Sequence, residues 1–150
     1  MKPQEFDCNL LEIEDSTIYS YAALKAYCII VRNDFKTLEK YEEAWNDAIK
    51  EKTDKKSNIT KGCPRNAFIG LCEEGYLKGV QKIINNNYGA NKNYAIEALE
   101  HLKKNPHEKN SPKILWEKLV NNIDSDTKIR KCYNQQMHVV LALWNKKLIV

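Results

Sequence analysis

The chain has few of the residues that interrupt helices. Its 150 residues include 5 glycines and 4 prolines, and no stretch of comparable length alternates apolar and polar residues as a half-exposed strand does. It also lacks a run of about 18 apolar residues, the length that a membrane-spanning helix needs. These absences exclude a β-rich domain and a transmembrane helix, and they leave a soluble helical protein.

The N-terminus lacks the features of a secretory signal. Five carboxylates precede residue 16, in place of a basic start followed by an uninterrupted apolar stretch. We therefore expect a cytoplasmic protein. In that compartment the cysteines, odd in number and irregular in spacing, should be reduced and should mostly act as small buried hydrophobic residues. They are Cys8, Cys28, Cys63, Cys72 and Cys132.

Arginine is scarce although the chain is basic. The formal net charge is +4, but almost all of the cations are lysines, and the arginines are Arg32, Arg65 and Arg130. Arginine is the better residue for bidentate recognition of phosphate and guanine. A solvated basic surface therefore explains the charge more simply than a dedicated anion site does.

Helical periodicity covers most of the chain, which has the length of one domain. The predicted helices cover residues 17–32, 35–51, a stretch from Pro64, residues 94–104, a stretch after Ser111, and a last helix from Asp126 or Thr127 to Lys147. Two polar segments with turn-forming residues, 52–62 and 83–93, are predicted to be irregular. The predicted fold class is therefore all-α.

Two of these helices have recognisable N-terminal signals. Asp15 or Ser16 is the expected N-cap of the first helix. Ser111 is the expected cap of the fifth helix, and Pro112 fits its first turn because the missing N–H of proline is not needed there.

The chain also resembles itself at a shift of about 72 residues. "ALKAYCII" aligns with "AIEALEHL" and "FIGLCEEGYL" aligns with "VLALWNKKLI" at that shift. "EAWNDAI" aligns with "ILWEKLV" at a shift of 71, which places Trp45 on Trp116 and favours core packing for both. Three helices that match in order predict a tandem duplication of one three-helix, helix-turn-helix-like unit.

The duplication defines the expected domain organisation. Residues 1–150 form a single domain, in which units of about 17–80 and 94–150 are joined by an 81–93 loop. A three-helix unit of this size buries little surface alone. We therefore expect the two units to pack face to face, with approximate twofold symmetry, into one compact bundle.

Cys63 is the candidate nucleophile. It precedes Pro64 at a predicted helix start, where unpaired N–H groups and the helix dipole could activate a thiol. A nucleophile also needs a base, and His101, His107 and His138 lie far from it in sequence and in no recognisable catalytic signature. Capping or packing is the favoured role of Cys63, so no catalytic residue is assigned.

No metal site or cofactor is predicted. Cys63 and Cys72 are nine residues apart, and Cys132 and His138 are six residues apart. Neither spacing resembles the close ligand pairs of structural zinc sites.

The candidate binding surface consists of the polar starts of the two closing helices of the units. Its residues are Lys61, Cys63, Arg65, Asn66, Arg130, Lys131, Asn134, Gln135 and Gln136. Amides can read adenine and the basic residues could hold phosphates. The first closing helix itself looks buried, because only Arg65 and Asn66 are polar before Glu73 and Glu74, whose carboxylates would repel phosphate.

Three functional hypotheses remain open. The leading one is a non-enzymatic interaction module whose partner is a protein or a nucleic acid. The alternatives are a helix-turn-helix-like nucleic-acid-binding protein and an enzyme that uses Cys63 as a nucleophile. No membrane partner is expected, and the sequence does not set the oligomeric state.

Two strings carry a resemblance to a known family. "KGCPRNAFIGLCEEGYLKGV" and "NQQMHVVLALW" fit the motifs KGCPxxxFxGLCEEGxxKG and NxQMxVVLALW, and the chain resembles an uncharacterised bacterial family, a domain of unknown function, over residues 21–149. The resemblance implies a small cytoplasmic bacterial protein. It implies no activity, substrate, cofactor or catalytic residue, and none for His138, where members tend to carry an acidic residue.

Overall fold

The structure, a computed structural model, describes residues 17–83, 90–122 and 135–150. Seven helical segments lie in these ranges: α1 (Ile18–Asn33), α2 (Leu38–Lys50), α3 (Lys56–Ile59), α4 (Gly62–Glu73), α5 (Ala90–Lys104), α6 (Pro112–Asn122) and α7 (Gln136–Asn145). The only extended pairing within these ranges is one antiparallel bridge between Leu77 and Ile149. The all-α fold class is confirmed. None of the described helices combines the length and the apolar character that crossing a bilayer requires.

Local capping signals set the starts of α1 and α6. The N-cap of α1 is Thr17, whose Oγ1 accepts a hydrogen bond from the backbone N–H of Ser20 at 3.0 Å. This is one residue after the nearer of the two predicted caps. The prediction for α6 is confirmed, because Ser111 Oγ accepts from the N–H of Ile114 at 3.2 Å and Pro112 is the first helical residue.

The prediction of the last helix is wrong in one respect. Its predicted start at Asp126 or Thr127 lies outside the described residues. Within them, Gln135 has φ 74°, in the left-handed region. A continuing right-handed helix cannot contain that conformation, so α7 begins only at Gln136.

The two segments predicted to be irregular are partly helical. Residues 52–62 contain the single turn α3 and the first residue of α4. Residues 83–93 contain the start of α5 at Ala90. Short turns and frayed helix starts have weak periodicity, which is why polar composition alone misplaced these boundaries.

The core is centred on α4 and α7. Every residue of α4 from Ala67 to Glu73 is buried, which confirms that this helix belongs to the core. α4 packs against α5 and α7, and α1 packs against α2 and α7. Trp45 and Trp116 are 0% and 7% exposed, so both tryptophans lie in the core as expected.

The bridge between Leu77 and Ile149 joins positions that are 72 residues apart. The two flanking hydrogen bonds run from Lys78 N to Leu148 O at 2.8 Å and from Val150 N to Tyr76 O at 2.9 Å. Adding 72 to the positions of either bond gives the partners of the other, with donor and acceptor exchanged. The helix contacts follow the same rule, because α1 packs on α7 and α5 packs on α4. The duplication itself stays a prediction.

The cysteines do not all behave as predicted. Cys28, fully buried in α1, is disulfide-bonded, so the prediction of reduced thiols is wrong at this position. Cys63 and Cys72 are free. Cys72 is fully buried, and burial raises the pKa of its thiol well above the usual value, which suits the small core residue that was expected.

A buried lysine joins α4 to α5 in what we term the Lys92 cluster: Lys92, Gly70, Glu73 and Glu74. Lys92 is 6% exposed, and its Nζ lies 3.1 Å from Glu73 Oε2 and 2.6 Å from Glu74 Oε1. Although burial lowers the pKa of Lys92, hydrogen bonds to Glu74 and Glu73 raise it overall. A charge this deeply buried persists only with such partners.

Candidate functional site

Positive charge is concentrated between the end of α2 and the start of α4. Residues 50–66, which we term the basic face, hold six cations and two carboxylates, Glu51 and Asp54, and so carry +4, as much as the whole chain. The cations are Lys50, Lys52, Lys55, Lys56, Lys61 and Arg65. The first four are exposed and the last two are half-buried. Because α3 is a single turn between two connections, these residues share one end of the fold.

A cleft of about 340 Å³ opens within the basic face. Its walls come from the C-terminal half of α2, the connection before α4 and the first turn of α4. The lining residues are Asn46, Lys50, Ile59, Thr60, Gly62, Arg65 and Asn66. Two cations and two amides therefore surround one concave surface, which suits an anionic group that also accepts hydrogen bonds.

The start of α4 contributes its own positive field. The N-cap is Lys61, which makes no capping hydrogen bond through its side chain. The positive end of the helix dipole therefore points into the region where the cations collect. Lys61 Nζ lies 5.8 Å from the centre of the Tyr19 ring, and this contact ties the start of α4 to the first turn of α1.

Arg65 and Asn66 differ in how they are held. Arg65 Nη2 lies 3.5 Å from Glu42 Oε2 on α2, and the arginine side chain is 26% exposed. This partly shielded pair orients the guanidinium along the cleft. Asn66 is exposed, so its amide is presented to solvent.

Cys63 is the second residue of α4 and is half-buried. Among the described residues it makes no hydrogen bond and no ion pair with a histidine or a carboxylate. The part of the chain that the structure describes also contains no group of three or more histidine, cysteine, aspartate or glutamate residues that could hold a metal ion. The described surroundings of Cys63 therefore supply no general base.

The predicted second half of the binding surface is only partly described. Arg130, Lys131 and Asn134 lie outside the described residues. Gln135 is half-buried just before α7. Gln136 is 3% exposed, and its Nε2 donates to Asn91 Oδ1 on α5 at 2.9 Å. The side chain of Gln136 therefore joins two helices instead of facing solvent.

The first turn of α1 lies between the starts of α4 and α7. Tyr19 contacts Lys61, as described above, and its hydroxyl donates to Asn58 Oδ1 at 3.4 Å. The next residue, Ser20, donates through Oγ to the carbonyl of His138 at 3.4 Å. The fold thus brings Lys61, Cys63, Arg65 and Asn66 together at one helix start and links them to α7 through two adjacent residues of α1.

Sequence reasoning missed the residues that α2 and the connection contribute. Asn46 and Lys50 lie one helix before the predicted site, and Thr60 lies in a segment treated as an irregular loop. The available signal was the charge count over residues 50–66, which a count over the whole chain hides.

Comparison with known proteins gives a family match without an activity. The model of a family described as "Family of unknown function (DUF6979)" matches residues 16–150. No curated protein and no solved structure matches the chain. The matched region includes the whole basic face and every described helix.

Proposed function

Because the chain belongs to this family of unknown function, we propose its role from its surface: it is a non-enzymatic interaction module that binds an anionic partner at the basic face. The observation that carries this proposal is the cleft at the start of α4, where Lys50 and Arg65 converge with Asn46 and Asn66. Clustered cations around a concave surface raise the local concentration of anions.

The described residues favour binding over catalysis. Cys63 is the nucleophile that the sequence suggests, but the described residues place no base beside it. The cleft instead offers donors from lysine, arginine and asparagine, which recognise carboxylate or phosphate oxygens without chemical change.

A nucleic acid is the second candidate partner, because α3 and α4 form a helix, a short turn and a helix. The body of α4 is core from Ala67 onward, so it cannot lie in a major groove as a recognition helix does. Binding would therefore be to the phosphate backbone, with strong salt dependence and little sequence preference.

The test measures binding of the full chain to fluorescently labelled polyanions by anisotropy. Suitable ligands are a duplex DNA, a single-stranded RNA and a poly-glutamate peptide, at about 50 and 200 mM salt. Binding of at least one is expected, and Lys50→Glu/Arg65→Glu should weaken it at least about tenfold, because repulsion replaces attraction at the cleft.

The matched control is Lys104→Glu/Lys113→Glu, which makes the same charge change at exposed positions on α5 and α6. It should weaken binding far less. Equal losses in the two variants would show that net charge alone drives association, and absence of binding to all three ligands would remove the proposal. Preference for the nucleic acids over poly-glutamate would select the second candidate.

A further inference from the structure

A cavity of about 490 Å³ lies between α1 and α7. We term it the α1–α7 cavity; its lining includes Thr17, Ser20, Leu24, Leu141, Ala142 and Lys146. Asn110, Pro112, His138 and Asn145 complete the wall. The cavity is thus apolar at Leu24 and Leu141 and polar at the start of α1 and the end of α7.

Four residues of this cavity occupy positions that correspond to the Lys92 cluster. At a shift of 72, Ser20 matches Lys92, Ala142 matches Gly70, Asn145 matches Glu73 and Lys146 matches Glu74. The helices that carry them also correspond, because α1 packs on α7 as α5 packs on α4. The same kind of helix contact therefore occurs twice with different side chains.

The difference in side-chain size accounts for the cavity. In the Lys92 cluster the lysine stem crosses Gly70 so closely that a Cβ there would lie 2.6 Å from Lys92 Cγ. In the α1–α7 contact the lysine is replaced by the short Ser20, and Ala142 supplies the Cβ that Gly70 lacks. The volume that the lysine side chain fills in one contact is therefore cavity in the other.

The charges are also exchanged. In the Lys92 cluster the cation comes from α5 and the two carboxylates come from α4. In the α1–α7 cavity the closing helix carries the cation, Lys146, and α1 contributes the neutral Ser20. Burial lowers the pKa of His138, so Lys146 is the lining cation at neutral pH. A carboxylate in this cavity would restore the ion pairing with its polarity reversed.

We propose that the α1–α7 cavity binds a carboxylate, and that residues 10–16 of the chain, "LLEIEDS", supply it from Glu14 or Asp15. Asp15 is two residues before Thr17, which itself lines the cavity, and an extended chain covers at most about 3.6 Å per residue. Glu14 and Asp15 are therefore within about 11 Å of the wall along the chain. Attachment at Thr17 gives the segment a high effective concentration there.

Charge and hydrophobicity of the segment both match the cavity. The first 16 residues carry five carboxylates and one lysine, and acidic groups are favoured beside the positive N-terminal end of α1. Leu10, Leu11 and Ile13 can cover the apolar wall. The inference concerns a different face from the basic face and does not depend on the function proposed above.

The test is hydrogen exchange of the full chain, read for the backbone amides of residues 10–16. In the unaltered protein these amides should exchange at least about tenfold more slowly than in an unstructured peptide. Lys146→Glu should abolish this protection, and the charge swap Glu14→Lys/Asp15→Lys/Lys146→Glu should restore it. Unprotected amides in the unaltered protein, or no recovery in the swap, would overturn the proposal.

Three further measurements show where the segment binds and which carboxylates it uses. Glu5→Gln/Asp7→Asn, a matched charge change farther from Thr17, should leave the protection intact. If Lys50→Glu/Lys56→Glu removes the protection and Lys146→Glu does not, the segment binds the basic face and the proposal fails. Added acetate should not remove the protection; saturable loss at millimolar acetate would make the cavity a site for free carboxylates.

A second variant keeps the test decisive if Lys146→Glu does not fold. Ser20→Lys/Ala142→Gly/Asn145→Glu/Lys146→Glu transplants the Lys92 cluster into the α1–α7 contact. The new lysine should fill the cavity and pair with the new carboxylates, so the protein should remain folded while residues 10–16 lose their protection. Retained protection in this folded variant would place the segment elsewhere.

Discussion

Gly70 lies beneath the side chain of Lys92, where α4 contacts α5. A methyl group at this position would meet not the flexible end of the lysine but its Cβ at 2.8 Å and its Cα at 3.2 Å. Backbone and Cβ atoms move only when a whole helix shifts. The close approach of the two helices therefore depends on this missing side chain.

We expect Gly70→Ala to lower the free energy of unfolding by about 1–3 kcal/mol, the usual cost of overpacking. Urea unfolding followed by circular dichroism measures it. Gly62→Ala is the matched control in the same helix, because its Cβ would meet only Asn66 Nδ2 at an ordinary 3.5 Å. Equal stability of the two variants would contradict the packing described for α4 and α5.

The Lys92 cluster also shows what single residues conceal in a sequence. Lys92, Glu73 and Glu74 are charged residues far apart along the chain, and their composition suggests exposed surface. Their burial follows from the pairing of α4 with α5, which is a long-range contact. In contrast, Ser111 could be predicted as a cap because its hydrogen bond to Ile114 N is local.

The closing turns of α4 and α7 follow similar paths with different residues. After α4, Gly75 has φ 76°, and 72 residues later Lys147 has φ 60°. In both turns the residue after the left-handed one donates back to the helix, Tyr76 N to Leu71 O and Leu148 N to Leu143 O, each at 3.1 Å. Glycine adopts this conformation readily, whereas lysine does so at a cost of about 1 kcal/mol.

We therefore expect Lys147→Gly to raise the free energy of unfolding by about 0.5–1 kcal/mol, because it removes the steric cost of a left-handed lysine. Denaturant melts of the full chain provide the measurement. Lys147→Ala keeps the Cβ and serves as the control, which should leave stability nearly unchanged. A gain in the alanine variant equal to that in the glycine variant would mean that charge, and not backbone conformation, is responsible.

Helix boundaries were predictable where the signals were short-range. The end of α4 has Gly75 to mark it, but the start of α7 has Gln135 in a left-handed conformation that nothing in its residue type announces. The candidate site divides in the same way. Arg65 and Asn66 were found because they follow Pro64 at a helix start, while Asn46 and Lys50 reach the same cleft from another helix.

Two buried tyrosines fasten the segment after α4 to the first two helices. Tyr27 on α1 donates to the carbonyl of Lys78, and Tyr41 on α2 donates to the carbonyl of Gln81, both at 2.6 Å. Burial is the main cause that raises the pKa of each phenol to about 12. Because these contacts span α1, α2 and the bridge region, their loss affects the whole molecule.

This pKa shift predicts instability at alkaline pH. An unfolded tyrosine ionises near pH 10 and the folded ones near pH 12, so the stabilisation is fully present below about pH 10 and is lost as pH rises towards 12. Urea midpoints measured from pH 8 to 12 should fall over this window. Tyr27→Phe/Tyr41→Phe should be less stable at pH 8 and should flatten the decline. An unchanged slope in the double variant would exclude these phenols as its source.

The bridge between Leu77 and Ile149 has a consequence for folding kinetics. It closes a loop of 72 residues, and the contact of Ser20 with His138 closes one of 118 residues. Helical proteins built from local contacts fold fastest, and distant contacts slow folding because chain entropy must be lost before they form. We therefore expect this chain to fold more slowly than an up-and-down bundle of equal length, with the pairing of the two closing turns among its last events.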